Sequence, residues 1–201
     1  PVRFYSTIDS KKGGEFIYYY HGRFANEKNI LNLVAAMSEI NFPCKLILRG
    51  GGAKIEQITS QIEKYGLTGK IQLKPWTSCR AVIREELMQS HVFVITSVYE
   101  PFGLSLIEAA ELGVPAVISN TDGLAEIHNT LQAGWLCDSM SIESIKKALL
   151  DARLQWESQK KLVISRRWDC FSKYDWRNGY KMFYDCLNEI SLKNMRDSSY
   201  V

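Results

Sequence analysis

Glu100-Pro101-Phe102-Gly103-Leu104-Ser105-Leu106-Ile107-Glu108 is the stretch on which the reading of this chain turns. Its two carboxylates lie eight residues apart, either side of a glycine. An apolar run over 91–96 precedes it, and the helix-like run over 103–112 stops at Gly113-Val114-Pro115. The pattern predicts a strand, a glycine turn and a helix, with Glu100 at the strand's carboxyl end and Glu108 on the helix. Leu104 and Glu108, four apart, share a helix face. The first amides of a helix have no intrahelical acceptor, so those of residues 103–105 form a ready anion site. An anion needs no carboxylates. The two acids therefore serve neutral, hydroxyl-rich parts of the same ligand, and a sugar joined to a nucleoside diphosphate has that shape.

Outward from this stretch the chain alternates in kind. Short apolar runs over 16–21, 45–49, 70–73, 92–96, 115–119 and 135–137 read as strands. Helical patterns over 28–40, 54–65, 81–89 and 103–112, with a short one over 124–128, lie between them. Continuous apolar strands separated by helices predict an α/β fold, a Rossmann-like parallel sheet with helices on both faces. Ligands of such sheets bind beyond the carboxyl ends of the strands. The unusual loops, 22–28, 50–52, 75–78 and 100–103, each follow a strand. Beyond 140 the reading is C-terminal helices only, over 141–156, 158–168 and 175–192, the last with an apolar stripe of Trp176, Tyr180, Tyr184 and Leu187. Residues 1–15 read as a linker remnant, 16–192 as one domain and 193–201 as a frayed tail. Pro1 is an odd natural beginning, which predicts a piece of a longer chain.

Composition sets the limits. With 201 residues, 46% hydrophobic and 23% charged, the chain can bury a substantial core. A net charge of +3 suits an anionic ligand but is too weak to imply nucleic acid. Five widely spaced cysteines without a C-x-x-C pair read as reduced, buried thiols of a cytoplasmic protein. No apolar run is long enough to span a membrane.

The order Gly22-Arg23-x4-Lys28, Gly50-Gly51-Gly52, Ser97-x-x-Glu100-x-Phe102-Gly103-Leu104-x3-Glu108, Gly113-Val114-Pro115 and Gly123-Leu124-x-Glu126 resembles the carboxyl-terminal half of the retaining, family 4 (group 1) glycosyltransferases of GT-B fold, over roughly residues 16–190. The resemblance implies a donor-binding domain that takes a nucleotide sugar such as a UDP- or GDP-hexose as substrate, with no metal and no other cofactor. The hexose would pass to a glycan or lipid acceptor held by an amino-terminal domain, with polysaccharide biosynthesis as the setting. It implies that Arg23 and Lys28 grip the diphosphate and stabilise it as it leaves. Glu100 lies at the donor sugar, Glu108 accepts the ribose hydroxyls, the amides of Gly103 and Leu104 cap a phosphate, and Trp76 lines the base pocket. An arginine fork and a compact lysine charge suit opposite sides of a pyrophosphate. The implied whole protein associates peripherally with membranes, and this part alone transfers little or nothing.

One departure concerns the loop after the fifth strand. Asp122-Gly123-Leu124-Ala125-Glu126 stands where the family has Gly-Gly-Leu-Pro-Glu, which changes loop stiffness near the sugar. Plainer readings stand beside the others: Arg23 paired with Glu27 on a surface turn, residues 50–52 as nothing but a tight turn, and His21 as a structural histidine. A nucleotide-sugar-binding module without catalysis is the second reading of the whole. Ser105 lacks the G-x-S-x-G turn and a paired histidine, which argues against hydrolase chemistry.

Overall fold

The computed structural model describes residues 15–174. The expected linker (apart from Glu15), the helix over 175–192 with its aromatic stripe and the tail all lie outside them. Six strands, β1 (Phe16–Arg23), β2 (Cys44–Gly51), β3 (Ile71–Pro75), β4 (Val92–Ile95), β5 (Ala116–Ser119) and β6 (Gly134–Cys137), form one sheet in the order β3-β2-β1-β4-β5-β6. All five pairings are parallel. Helices α1 (Ile30–Ser38), α2 (Ile55–Lys64), α3 (Arg80–Met88), α4 (Leu104–Glu111), α5 (Asp122–Leu131) and α6 (Ile142–Tyr174) complete the α/β alternation. This is the Rossmann-like architecture that the strand spacing predicts.

Alternation along the strands feeds two cores. Tyr18, Tyr20, Leu46, Leu48 and Val94 face α1, α2 and the first half of α6. Tyr19, Phe93, Ile95 and Ile118 face Leu87 of α3, Leu106 of α4, Leu124 and Ile127 of α5 and Val163 of α6. Strands β4 and β5 are buried at every position, as strands covered on both faces must be.

Three expectations need correction. The helices expected over 141–156 and 158–168 are one helix, α6, of 33 residues. Its sequence has neither glycine nor proline, and Ser158, read as a helix start, instead donates its hydroxyl to Gln155 O at 2.9 Å within the helix. Helix α6 passes under the amino ends of β1 and β4. There the Trp156 indole donates to His91 O at 2.7 Å and packs edge-on against Phe16. Second, Gly123 belongs to the first turn of a ten-residue helix, α5, rather than to a loop. Third, of the cysteines described, Cys44 and Cys137 are buried but Cys79 is exposed.

Gly50 owes its place to packing. A side chain there would strike the Gly22 carbonyl oxygen and the Phe24 ring, so the backbones of β1 and β2 meet closely at their carboxyl ends. Phe24 itself is fully buried, with Phe24 N–H donating to Gly51 O at 2.8 Å and Lys54 N–H to Phe24 O at 3.0 Å. The 50–52 segment thus holds the loop after β1 in place. Among the described residues, no helix is long and apolar enough to cross a membrane.

His91, just before β4, accepts a hydrogen bond at Nδ1 from Ile17 N–H at 3.0 Å and stacks against Phe16 and Trp156. Burial, with the charges of Lys160 and Arg153 adding to it, pulls its pKa down from 6.5 to about 4. The unfolded chain therefore takes up this proton first. The stability that the neutral ring contributes is full above about pH 6.5 and is lost as pH falls towards 4. Melting followed by circular dichroism at pH 7 and 5 should give a lower midpoint at the acid end. His91→Asn, which keeps an acceptor but cannot titrate, should show a smaller drop over the same interval.

Candidate functional site

The order of the sheet reverses between β1 and β4, so the loops leaving their carboxyl ends diverge and a crevice opens. A cavity of about 400 Å³ occupies it, within the range of small-ligand sites. Arg23, Lys28, Glu100, Gly103, Leu104 and Glu108 all line it, together with His21, Arg80 and Ser97. Of the seven site residues expected from the sequence, six converge here. Trp76 does not: it stands at the end of β3, two-thirds exposed and outside the cavity wall.

Each charged group is held by local structure. Tyr20, buried in β1, donates its hydroxyl to Arg23 O at 2.8 Å and fixes the turn. The Arg23 side chain is 78% exposed and reaches Glu27 at 3.4 Å. The plainer surface pairing is therefore present, but it is worth little and leaves the guanidinium free to swing. A short 3-10 turn (Asn26–Lys28) carries the chain to Lys28. It is tied to the loop after β4 by Val98 N–H donating to Glu27 O at 2.8 Å and Thr96 Oγ–H to Lys28 O at 3.3 Å. These ties bring Lys28 Nζ to Glu100 at 2.6 Å, with each side chain only about 15% exposed.

Gly103 opens α4 at φ 77°, ψ 42°, a left-handed conformation that a side chain would strain. The first bond of the helix runs from Leu106 N–H to Gly103 O at 2.9 Å, which leaves the amides of Gly103, Leu104 and Ser105 ahead of the ladder, at the positive end of the helix. Glu108, one turn on, carries two donors. His21 Nε2 lies 3.1 Å from its Oε2, and Arg80 bonds its Oε1. The bond from His21 and the charge of Arg80 outweigh burial and hold its carboxyl below the usual range. An ionised carboxylate only accepts, so the His21 proton sits on Nε2.

Arg80 escaped the sequence reading because the helix was expected to begin one residue later. The available signal was its position directly after the β3 loop, on the same sheet edge as the other cavity residues. His21 was read as structural, yet it lines the cavity, and its Nδ1 is buried without a partner.

A second cluster lies deeper. Glu86 of α3 receives Arg49 through both Nε and Nη2, Lys74 at 2.9 Å and the Tyr19 hydroxyl at 2.9 Å. Burial would raise its pKa, but the bonds from Arg49, Lys74 and Tyr19 prevail and hold it at about 2. Arg49 also donates to Pro75 O at 2.7 Å, fastening the start of the loop that leads to Arg80.

Known proteins share this sequence pattern and fold. The model of the family described as glycosyl transferases group 1 matches residues 3–167. An uncharacterized glycosyltransferase of Methanocaldococcus jannaschii is 28% identical over 159 residues, which is 78% of this chain and 40% of that protein. The solved sucrose-phosphate synthase of Thermosynechococcus elongatus superposes with a TM-score of 0.80 at 25% identity, over 89% of this chain and 46% of that one. Anabaena HepE, solved in complex with UDP-glucose, gives 0.77 at 18% identity, over 88% of this chain and 49% of that one, a likeness of fold. The chain thus spans less than half the length of each of these proteins.

The two ion clusters should respond differently to loss of a partner. Arg49 and Glu86 are about nine-tenths buried, so Arg49→Ala, which leaves Glu86 only Lys74 and the Tyr19 hydroxyl, should cost about 2 kcal/mol in urea unfolding. Arg80 is 71% exposed, and Arg80→Ala should cost less than about 1 kcal/mol.

Proposed function

This chain belongs to the glycosyl transferases group 1 family, and on that premise we propose that it is the donor-binding domain of a retaining GT-B glycosyltransferase. Its donor would be a hexose carried on UDP or GDP, and its acceptor a glycan or lipid held by polypeptide outside these 201 residues. The observation that carries this reading is the convergence, at the sheet's switch point, of two cations, the start of α4 and two carboxylates on one cavity. Anabaena HepE, whose fold this chain shares, is seen with UDP-glucose, which makes UDP-glucose the first donor to try.

On this reading the diphosphate lies between the amides at the start of α4 and the cations Arg23 and Lys28. Lys28 reaches it by leaving Glu100, exchanging one charge-assisted bond for another. Glu100, released, turns to the hexose, and Glu108 accepts from the ribose. The bond between the anomeric carbon and the diphosphate oxygen breaks, and the acceptor oxygen bonds that carbon on the same face. The acceptor's proton passes to the departing diphosphate. Charge growing on that diphosphate meets Lys28, Arg23 and helix amides already in place. This arrangement proposes transfer without a metal ion, so excess EDTA should leave the rate unchanged. The charged groups of the lining, Arg23, Lys28, Arg80, Glu100 and Glu108, suit a donor drawn from water, and the cytoplasm is the setting we propose.

Calorimetric titration of the full-length protein with UDP, GDP and their glucose conjugates tests the assignment. Lys28→Ala should weaken nucleotide binding by about 10- to 100-fold, the loss of one charge-assisted contact. Glu100→Gln should bind bare UDP at least as tightly as the wild type, because its carboxylate no longer competes for Lys28, while transfer is lost. Wild-type affinity in Lys28→Ala removes the site assignment. Tight donor binding without transfer in the full-length protein replaces the enzyme with a binding module.

A further inference from the structure

A carboxylate offers about four acceptor positions, two on each oxygen. On Glu108 the structure fills one per oxygen, Oε2 by His21 and Oε1 by Arg80. That leaves one acceptor position on each oxygen beside the cavity, the pattern that a pair of neighbouring hydroxyls requires. The two donors differ in firmness. Arg80 is 71% exposed, on a flexible stem. His21 is 11% exposed, set in β1, with its ring between those of Tyr19 and Phe93 at centroid distances of 5.7 and 5.2 Å. Its Nδ1 has no partner and is shut off from solvent, so Nε2 is the one hydrogen-bonding atom of the ring in use, and it is spent on Glu108. A histidine that served packing alone would bury its polar atoms against the backbone, as His91 does with Ile17.

We propose that His21 is the positioning residue that sets the plane of the Glu108 carboxylate, and so fixes the site's selectivity for a ligand carrying a vicinal diol. The inference rests on the reading of Glu108 as the group that receives the ribose. His21 touches neither the ribose nor the reacting atoms. It acts by confining Glu108 to the one rotation in which both open acceptor positions face the diol, and without it the carboxylate can turn to follow Arg80 alone.

The test is discrimination against a missing hydroxyl. The full-length protein is titrated with UDP and GDP, each against its 2′-deoxy analogue, in the wild type and in Glu108→Ala, His21→Phe and His21→Gln, with thermal melts to establish that each variant is folded. The wild type should prefer the ribonucleotide by about tenfold, the worth of one hydrogen bond to a charged group. Glu108→Ala should abolish the preference. His21→Phe should reduce it to about twofold by weakening the ribonucleotide while leaving the deoxy analogue nearly unchanged, and His21→Gln, which restores an N–H donor, should recover part of it.

If His21→Phe weakens both ligands by the same factor, or keeps the full preference while Glu108→Ala loses it, the positioning role is refuted and the reading of Glu108 survives. A wild type that binds both forms equally, or binds neither nucleotide, removes that reading and the inference together. If His21→Phe does not fold, His21→Gln decides alone: a preference intermediate between the wild type and Glu108→Ala supports the role, and one equal to the wild type overturns it.

Discussion

Strands β1 and β4 lie side by side in the sheet although β2 and β3 intervene in the chain. Each is followed by a connection to the opposite side, β1 into α1 and β4 into α4, so the backbone parts above the seam and cannot fill it. Parallel sheets of this order place their open crevice at that seam. Here the two departing loops are stitched together low down by the bonds from Val98 to Glu27 and from Thr96 to Lys28. Lys28 and Glu100, 72 positions apart in sequence, meet as a consequence. The close approach of Gly50 to the Gly22 carbonyl supports the same loop from the β2 side.

Charges gathered in a half-buried crevice must be compensated, since an unpaired one would carry a large desolvation cost. The protein compensates them with one another. Lys28 is held by Glu100, and Glu108 by His21 and Arg80, while Arg23 leans on Glu27. An anion entering this cavity therefore does not meet bare cations. It competes with carboxylates that stay nearby and are free to take hydroxyl donors from the rest of the same molecule. Exchange of this kind keeps the number of charge-assisted bonds roughly constant, which favours a ligand with both an anionic and a hydroxyl-bearing part over a simple phosphate.

Much of this was legible before any coordinates, because the period of apolar residues and the position of loops after strands are local properties. All six strands stand where the apolar runs placed them, and the E-x7-E stretch folds as loop, left-handed glycine and helix, with Glu100 in the loop after β4 rather than at the strand's end, since β4 stops at Ile95. The misreadings were of a different kind. The unbroken α6 was divided at Ser158 because serine is a common helix start, whereas a serine can also satisfy its hydroxyl inside a helix. Gly123 suggested a loop, yet the backbone there is the first turn of α5. Arg80 and His21 depend on which side chains from distant elements meet Glu108, and sequence spacing carries no such information. Trp76 lies on the expected edge of the sheet, after β3, but is two-thirds exposed and outside the cavity lining.

Two glutamates with comparable partners do different work, and the number of acceptor positions left open separates them. Glu86 receives four donor contacts, two from Arg49 and one each from Lys74 and Tyr19. Those fill all the positions a carboxylate offers, so Glu86 has nothing left for a ligand. It fastens α3 to β2 and β3 and, through Arg49 and Pro75, steadies the loop that delivers Arg80. Glu108 is also ionised and also clasped, but only half of its acceptor capacity is taken, and the remainder borders the cavity. A saturated carboxylate behaves as a structural rivet, whereas a half-saturated one at a strand crevice keeps acceptor capacity for further hydroxyl donors. The difference follows from valence and placement rather than from the depth of either pKa shift.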